Sequence, residues 1–385
     1  MNLIHKKTKK ISIYILIIFT VFGCKNASIS SAKNGLVFND SLRTSEQIEL
    51  IYENAKFFPD KTQLSLAFIE KNDVSYYGVK RESDTLFFTN NSDRVFEIGS
   101  LTKTFTSTLL AGFAISGEIK IEEKINDYLQ FRIKDNIPIT FKELANHTSG
   151  LPREPSNMFW SAILNPDDPF KTYDEKKLKE YLMKKIIKPD DSARRFKYSN
   201  LGAGILGYVL CQIKRTTYED LLNRNIFSKY KMLSSTTQIK MVKQKIVNGL
   251  DENGNESPNW IWDSSALVSA GGILSNAEDL SKFISAQFDD TNEELKLTQK
   301  MTFTASLSGV KKMKGIGLGW IILEGADKNN WHWHNGGTYG YKASAVFDVK
   351  ERIGIIILSN VSAKNKYNEN IDQLSLELLE TLCKK

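Results

Sequence analysis

The chain has 385 residues, 41% of them hydrophobic and 25% charged, with 23 glycines, a composition ordinary for a globular protein with a large core and long enough for two structural lobes. Its formal charge is +7, and Lys6, Lys7, Lys9 and Lys10 account for four of those charges within the first ten residues. The remaining body is mildly basic and has no stripe of lysine and arginine interleaved with aromatics, so electrostatics gives no reason to propose nucleic acid as a partner.

After the basic start comes ISIYILIIFTVFGC, apolar from residue 11 to residue 22. That run is short of the ~20 residues a membrane-crossing helix needs, and its basic-then-apolar order is that of a secretory signal, with an uncleaved anchor as the alternative. Its end, Val21-Phe22-Gly23-Cys24, resembles a bacterial lipobox apart from the bulky Phe22, which implies a leader at 1–23 and lipidation of Cys24. The expectation is an exported protein held by lipid to a membrane of the bacterial cell envelope, on its periplasmic or extracellular face. Residues 24–40 are small and polar and read as a tether. The other cysteines, Cys211 and Cys383, make neither a disulfide framework nor a zinc cage and read as unpaired thiols.

Thr44 and Gln47 have capping-box spacing, and Ile48, Ile51 and Ala55 continue with helical period. QLSLAFIE, a KND turn and VSYYGV predict a β-hairpin. A helix follows from Ser100, with Leu101, Phe105, Leu109 and Phe113 spaced for one buried face. From 115 to 265 lysine-rich helical patterns alternate with loops such as HTSGLPREP and NPDDP, which predicts a mostly helical lobe. Ser275 and Glu278 form a second capping box before DLSKFISAQF, and GIGLGWIIL reads as one strand. WHWHNGGTYGYKASAVFDV, a KER turn and IGIIILSNV predict adjacent antiparallel strands, closed by a helix through Ile371, Leu374, Leu378 and Leu382. The fold class is therefore α/β of the α+β type: an antiparallel sheet flanked by helices, built from 41–114 with 266–385, and interrupted by the helical lobe at 115–265.

The chemistry-bearing residues are few. Ser-x-x-Lys recurs at Ser30/Lys33, Ser228/Lys231 and Ser308/Lys311, but only Ser100/Lys103 follows a strand-like run and a glycine and opens a long helix. Positions i and i+3 share a helix face, so the Lys103 amine can approach the Ser100 hydroxyl, and a dry, cationic site would lower the amine's hold on its proton. A capping serine beside a snorkelling lysine is the alternative. FKYSN supplies Tyr198 and Asn200 on one side of an extended segment: a phenol that can relay a proton and an amide that can orient substrate, or else an aromatic core residue at a strand end. In WHWHNGGTYG, Asn335-Gly336 reads as a hairpin turn, while the bare backbone of Gly336 and Gly337 would also let a ligand lie against a strand and use its N–H. His332 and His334 would face one way on that strand, but without an H-E-x-x-H they do not make a convincing metal site, and no metal is expected.

Taken in order, Ser-x-x-Lys, Tyr-x-Asn and a basic residue followed by x-Gly resemble the penicillin-recognising serine hydrolases. FEIGSLTKTF, LANHTSGLP, FKYSNLGAGILGYVL, SAGGILSNAEDLSKF, GLGW and HNGGTYG extend the resemblance over roughly residues 60–360, toward the branch of class C β-lactamases, D-Ala-D-Ala carboxypeptidases and esterases. The resemblance implies a β-lactamase/transpeptidase-like fold, with Ser100 as nucleophile, Lys103 as base and Tyr198 as proton relay. It implies that Asn200 contacts a substrate amide, that His334 stands where the lysine of Lys-Thr-Gly usually stands, that Ser100 and Gly337 supply the oxyanion N–H groups, and that His147 is structural. It also implies a small or peptidoglycan-derived substrate, a monomer, and no cofactor. A histidine at position 334 would grip a substrate carboxylate only while charged, near pH 6.5 if unperturbed. An amide of a D-alanyl peptide or β-lactam is the expected substrate, with a carboxylic ester as the alternative; a non-catalytic penicillin-binding sensor lipoprotein is a third reading, against which the complete set of Ser100, Lys103 and Tyr198 argues.

Overall fold

A computed structural model describes residues 31–36, 43–187, 195–306, 310 and 312–384. The leader and Cys24 lie outside these residues. Ten strands form one sheet, in the order Lys33–Gly35, Thr85–Thr89, Asp73–Glu82, Gln63–Glu70, Ile353–Ser359, Lys342–Asp348, Asn330–Gly337, Ile321–Glu324, Met313–Ile316 and Phe303–Thr304. All neighbours are antiparallel except Lys33–Gly35, which pairs in parallel with Thr85, Leu86 and Phe87. Part of the stretch read as a tether is thus an edge strand, because Lys33 N–H finds the Asp84 carbonyl at 2.6 Å and Lys33 pairs with the Asp84 carboxylate at 2.7 Å.

Strand alternation divides the core in two. Leu64, Leu66, Phe68, Ile355 and Ile357 face the terminal helices Ser45–Ala55 and Glu369–Cys383, meeting Ile51, Leu374 and Leu378. Ala67, Ile69, Ile356 and Leu358 face the other way, toward Phe105, Phe283 and Ile284. The first helix has the predicted capping box, Thr44 Oγ1 accepting from Gln47 N–H and Gln47 Oε1 from Thr44 N–H. At the next predicted box the cap shifts by one residue. Ser275 belongs to the short strand Leu274–Ser275, and Asn276 caps the Ala277–Ala286 helix by accepting from Asp279 N–H at 2.8 Å.

Two more expectations change. GIGLGWIIL is two strands, Met313–Ile316 and Ile321–Glu324, because Gly319 takes φ +79° and the chain turns with Gly317 N–H bonded to the Trp320 carbonyl. Asn335-Gly336 is no turn: the strand runs on through Gly337, and the reversal falls where Thr338 N–H bonds the Tyr341 carbonyl at 2.9 Å. Among the described residues, 115–265 hold one long α-helix, Asn200–Lys214, with shorter helical stretches, of which Glu175–Glu180 and Tyr218–Leu222 run on into π-helical turns, and the small strand pair Gly249–Leu250 and Glu256–Ser257, joined by loops. Among the described residues no helix is long and apolar enough to cross a membrane, and Cys211 and Cys383 form no disulfide.

The Thr102–Ile115 helix is not amphipathic in place; every residue from Thr102 to Ala111 is buried. Its hydroxyls are bonded inside the core, Thr106 Oγ1 to the Ser269 carbonyl at 2.7 Å and Thr108 Oγ1 to the Thr104 carbonyl at 2.9 Å. Gly319 presses on it so closely that a Cβ there would stand 2.8 Å from Ser107 Oγ and 3.0 Å from the Lys103 carbonyl. Gly319→Ala should therefore lower stability by roughly 1–3 kcal/mol in urea unfolding, from left-handed strain and this clash together.

Candidate active site

Gly99–Leu101 is a single 3-10 turn that leads into the Thr102–Ile115 helix, with Gly99 at φ +50°. This turn leaves Ser100 half-buried at the helix mouth while Lys103, one turn on, is 2% exposed. The Lys103 amine lies 3.0 Å from Ser100 Oγ and donates to the Ala270 carbonyl at 2.6 Å. Burial is the main cause that lowers the amine to about 7; Glu154 opposes the shift and Arg153 adds to it. A neutral amine can keep its bond to Ala270 and turn its lone pair to the Ser100 hydroxyl.

Tyr198 comes from the segment ahead of the Asn200–Lys214 helix. Its ring sits 5.0 Å from the Lys103 amine, with the Ser100 hydroxyl beside the phenol. Burial raises the phenol to about 12, and the neighbouring Ser100 only partly offsets this, so the proton stays on oxygen at neutral pH. His147, at φ +59°, braces this segment: its Nδ1 accepts Ser199 N–H at 3.2 Å, its carbonyl accepts Lys197 N–H at 2.8 Å, and its ring packs 4.5 Å from that of Tyr198.

Asn200 uses its Nδ2 to donate to Glu154 Oε1 at 2.6 Å, and its backbone N–H donates to the Arg153 carbonyl at 3.0 Å. Arg153 and Glu154 do not stand out in the sequence, where they are two charged residues of a loop. In space the Arg153 guanidinium stands 5.0 Å over the Tyr198 ring, and burial pushes the Glu154 carboxyl upward. The Ala270 carbonyl is equally invisible there, since nothing in a sequence marks which backbone oxygen receives a buried amine.

The Asn330–Gly337 strand forms the opposite wall. Gly336 lies so close to the nucleophile turn that a Cβ would sit 1.8 Å from the Ile98 carbonyl oxygen and 2.9 Å from Ser100 N. Because Thr338 and Tyr341 are a hydrogen-bonded pair, antiparallel alternation turns the Gly337 N–H to the other edge. That edge carries Gly99, whose Cβ, if present, would be 2.6 Å from Gly337 N. The N–H groups of Ser100 and Gly337 thus belong to two segments in contact.

His334 is 2% exposed, with its ring centroid 6.4 Å from that of Tyr198 and its Nδ1 2.5 Å from the Asn335 carbonyl oxygen. Burial, then the Lys103 charge, pushes it down to about 3. The expected grip that titrates near pH 6.5 is therefore absent, and His334 is neutral throughout the working range. The nearby charge pair lies behind the strand, where Lys342 meets Asp372 at 2.7 Å and Asn335 Nδ2 donates to the same carboxylate at 2.7 Å. His332 bonds the Gln299 carbonyl through Nε2 and stacks on Phe347, and among the described residues no group of three His, Cys, Asp or Glu is arranged to hold a metal ion.

The sequence profile of the Beta-lactamase family matches residues 60–380, and the chain belongs to that family. Membership supports chemistry of the serine-hydrolase type. The chain is 28% identical over 312 residues to Beta-lactamase-like protein 4 of Dictyostelium discoideum, covering 73% of this chain and 53% of that protein. It therefore spans about half the length of curated relatives such as this one. A Beta-lactamase of Pseudomonas fluorescens is 24% identical over 344 residues, covering 80% of this chain and 90% of that one. The crystal structure of a Beta-lactamase/D-alanine Carboxypeptidase from Yersinia pestis shares the fold, with TM-score 0.69, 19% identity, 89% of this chain covered and 97% of that chain.

The geometry makes a pH prediction. An amine lowered to about 7 is competent only when neutral, so the rate of Ser100 acylation should be low at pH 5 and climb through pH 7 to a plateau. His334 adds no titration in that window. Rates of inactivation by a fluorophosphonate between pH 5 and 9 check this; a bell falling above pH 7 would contradict the assignment of the neutral amine.

Proposed function

We propose that the protein is a serine hydrolase that acylates Ser100 and opens an amide of a D-alanyl peptide or a β-lactam. The observation that carries this reading is the buried Lys103 amine, lowered to about 7 and 3.0 Å from the Ser100 hydroxyl. In acylation the neutral amine takes the Ser100 proton as Oγ bonds the carbonyl carbon, and the carbonyl electron pair moves onto oxygen between the N–H groups of Ser100 and Gly337. Tyr198 gives its proton to the departing nitrogen as the C–N bond breaks, and Lys103 returns a proton to the phenol. Water then attacks the acyl carbon, losing a proton to the amine through the phenol; Ser100 recovers a proton as its ester bond breaks, and the acid leaves. Asn200, held by Glu154, faces the substrate amide, and Gly336 leaves room for the chain along the strand. The reaction draws on no cofactor.

One observation favours a second reading on the same machinery, the hydrolysis of carboxylic esters. Neutral His334 spends its one N–H, at Nδ1, on the Asn335 carbonyl, so its Nε2 offers a substrate carboxylate neither a charge nor a donor, which removes an advantage of anionic peptides and β-lactams over neutral esters. A turnover panel of nitrocefin, a D-Ala-D-Ala peptide and p-nitrophenyl esters separates the readings. The first predicts release from the amide substrates; turnover of esters alone selects the second. A fluorescent penicillin or fluorophosphonate should label the wild type, and Ser100→Ala should abolish labelling. Undiminished labelling of that variant would rule out Ser100 as nucleophile. Lys103→Arg should cut kcat by about 10²–10⁴.

We further propose that the enzyme acts as a monomer on the periplasmic or extracellular face of a bacterial membrane, tethered by lipid at Cys24. Cys24→Ala should move it from the membrane to the soluble fraction in a cell fractionation.

A further inference from the structure

Behind the nucleophile turn lies a buried carboxyl that the mechanism does not use. Glu97 ends the short strand Phe96–Glu97, three residues before Ser100, and is 3% exposed. Its Oε1 accepts from Asn259 Nδ2 at 3.0 Å and from Trp260 N–H at 2.9 Å. Asn259 Nδ2 also donates to the Tyr341 hydroxyl at 2.6 Å, which in turn donates to the Val247 carbonyl at 2.5 Å. The carboxyl adjoins the hydroxyl of Thr338, the residue after Gly337. Neither its second oxygen, Oε2, nor Thr338 Oγ1 has a hydrogen-bond partner among the described residues, and both are fully buried.

We propose that Glu97 is a positioning residue: by bridging the segment that leads into Ser100 to Thr338 behind Gly337, it sets the separation of the two N–H groups that receive the developing oxyanion. This rests on the serine-hydrolase reading above. The two donors sit on different elements, a 3-10 turn and a sheet strand, and a spacing error of about one ångström at such a pair is costly. Glu97 lies three residues before Ser100 and Thr338 one residue after Gly337, so each sits on the segment that carries one of the donors. Orphaned atoms in a buried place are costly unless they bond each other, which favours a neutral carboxyl with Oε2–H donating to Thr338 Oγ1. Burial pushes Glu97 up to about 7, which makes that neutral form available; the ionisable groups facing it are Asp168 and the Tyr341 phenol, and both disfavour added negative charge.

The test uses the full-length protein and three variants, Glu97→Gln, Glu97→Ala and Thr338→Val. Glutamine keeps an acceptor for Asn259 and Trp260 and offers an N–H to Thr338, so it should stay within about threefold of wild type. Glu97→Ala and Thr338→Val should lower kcat by about 10–10³ with KM within about threefold, and should weaken a tetrahedral boronic-acid inhibitor by the same factor. A brace with no link to the oxyanion would instead lower the melting temperature and leave kcat and boronate affinity together at wild-type values in the folded fraction, which would overturn the proposal. So would a Glu97→Gln variant as impaired as Glu97→Ala. Titration of active sites with a fluorophosphonate keeps the two claims apart. Stoichiometric labelling of wild type with kcat and boronate affinity unchanged in both damaging variants defeats the brace alone, whereas absence of labelling in wild type defeats the reading beneath it.

Discussion

The site depends on a lysine placed where a lysine is costly to hold. Lys103 reaches inward from a helix buried along its first three turns, and among the described residues its amine is offered one carbonyl, one hydroxyl and no carboxylate within ion-pair distance. A paired amine would stay charged and could not take a proton. An amine with too few partners would unfold its surroundings. The compromise is bonding enough to fix the nitrogen, with charges on Glu154 and Arg153 acting from farther out in opposite directions. Stability for this arrangement comes from the two apolar layers on either face of the sheet, which involve none of the reacting groups.

Close backbone approach is the second ingredient. Gly99, Gly319 and Gly336 stand where three elements press on the nucleophile turn and its helix, and at each one a methyl group would collide with another segment. The strand wall can come within hydrogen-bond range of the turn because side chains are absent there. The same economy explains His147: in a left-handed conformation, it ties the Tyr198 segment down with both its ring nitrogen and its carbonyl. The phenol is thereby fixed from behind and remains available in front.

Much of this architecture was legible in the sequence, and the omissions have identifiable causes. Alternation along QLSLAFIE and IGIIILSNV and the helical spacing of Ile371, Leu374, Leu378 and Leu382 specified which faces would be buried, because those periods are set by local geometry. Ser100, Lys103, Tyr198 and His334 converge, as the order of the motifs implied. What spacing could not reveal was set by tertiary surroundings. The charge state of His334 depends on burial and on Lys103, and the roles of Arg153 and Glu154 depend on a loop folding back over Tyr198. Asn335-Gly336 has the letters of a turn, yet the strand Lys342–Asp348 pairs with residues 331–337 in unbroken register, and ladder bonds outweigh a local turn preference. The capping box at Ser275 failed by a single position because Ser275 is taken up in the strand Leu274–Ser275, which leaves Asn276, an equally good cap, to open the helix.

The strand order has a consequence for how the molecule is made. Gln63–Glu70, fourth in the ten-strand order, pairs on its inner side with Ile353–Ser359, so the earliest hairpin finds its inner neighbour only after residue 353 has been made. Until then the hairpin exposes a hydrophobic edge with unpaired backbone groups, and contacts of such long sequence separation form slowly. Closure of the sheet at this pair therefore comes late in synthesis. A chain cut short of Ile353–Ser359 would carry all of its motifs with the two halves of the sheet unjoined.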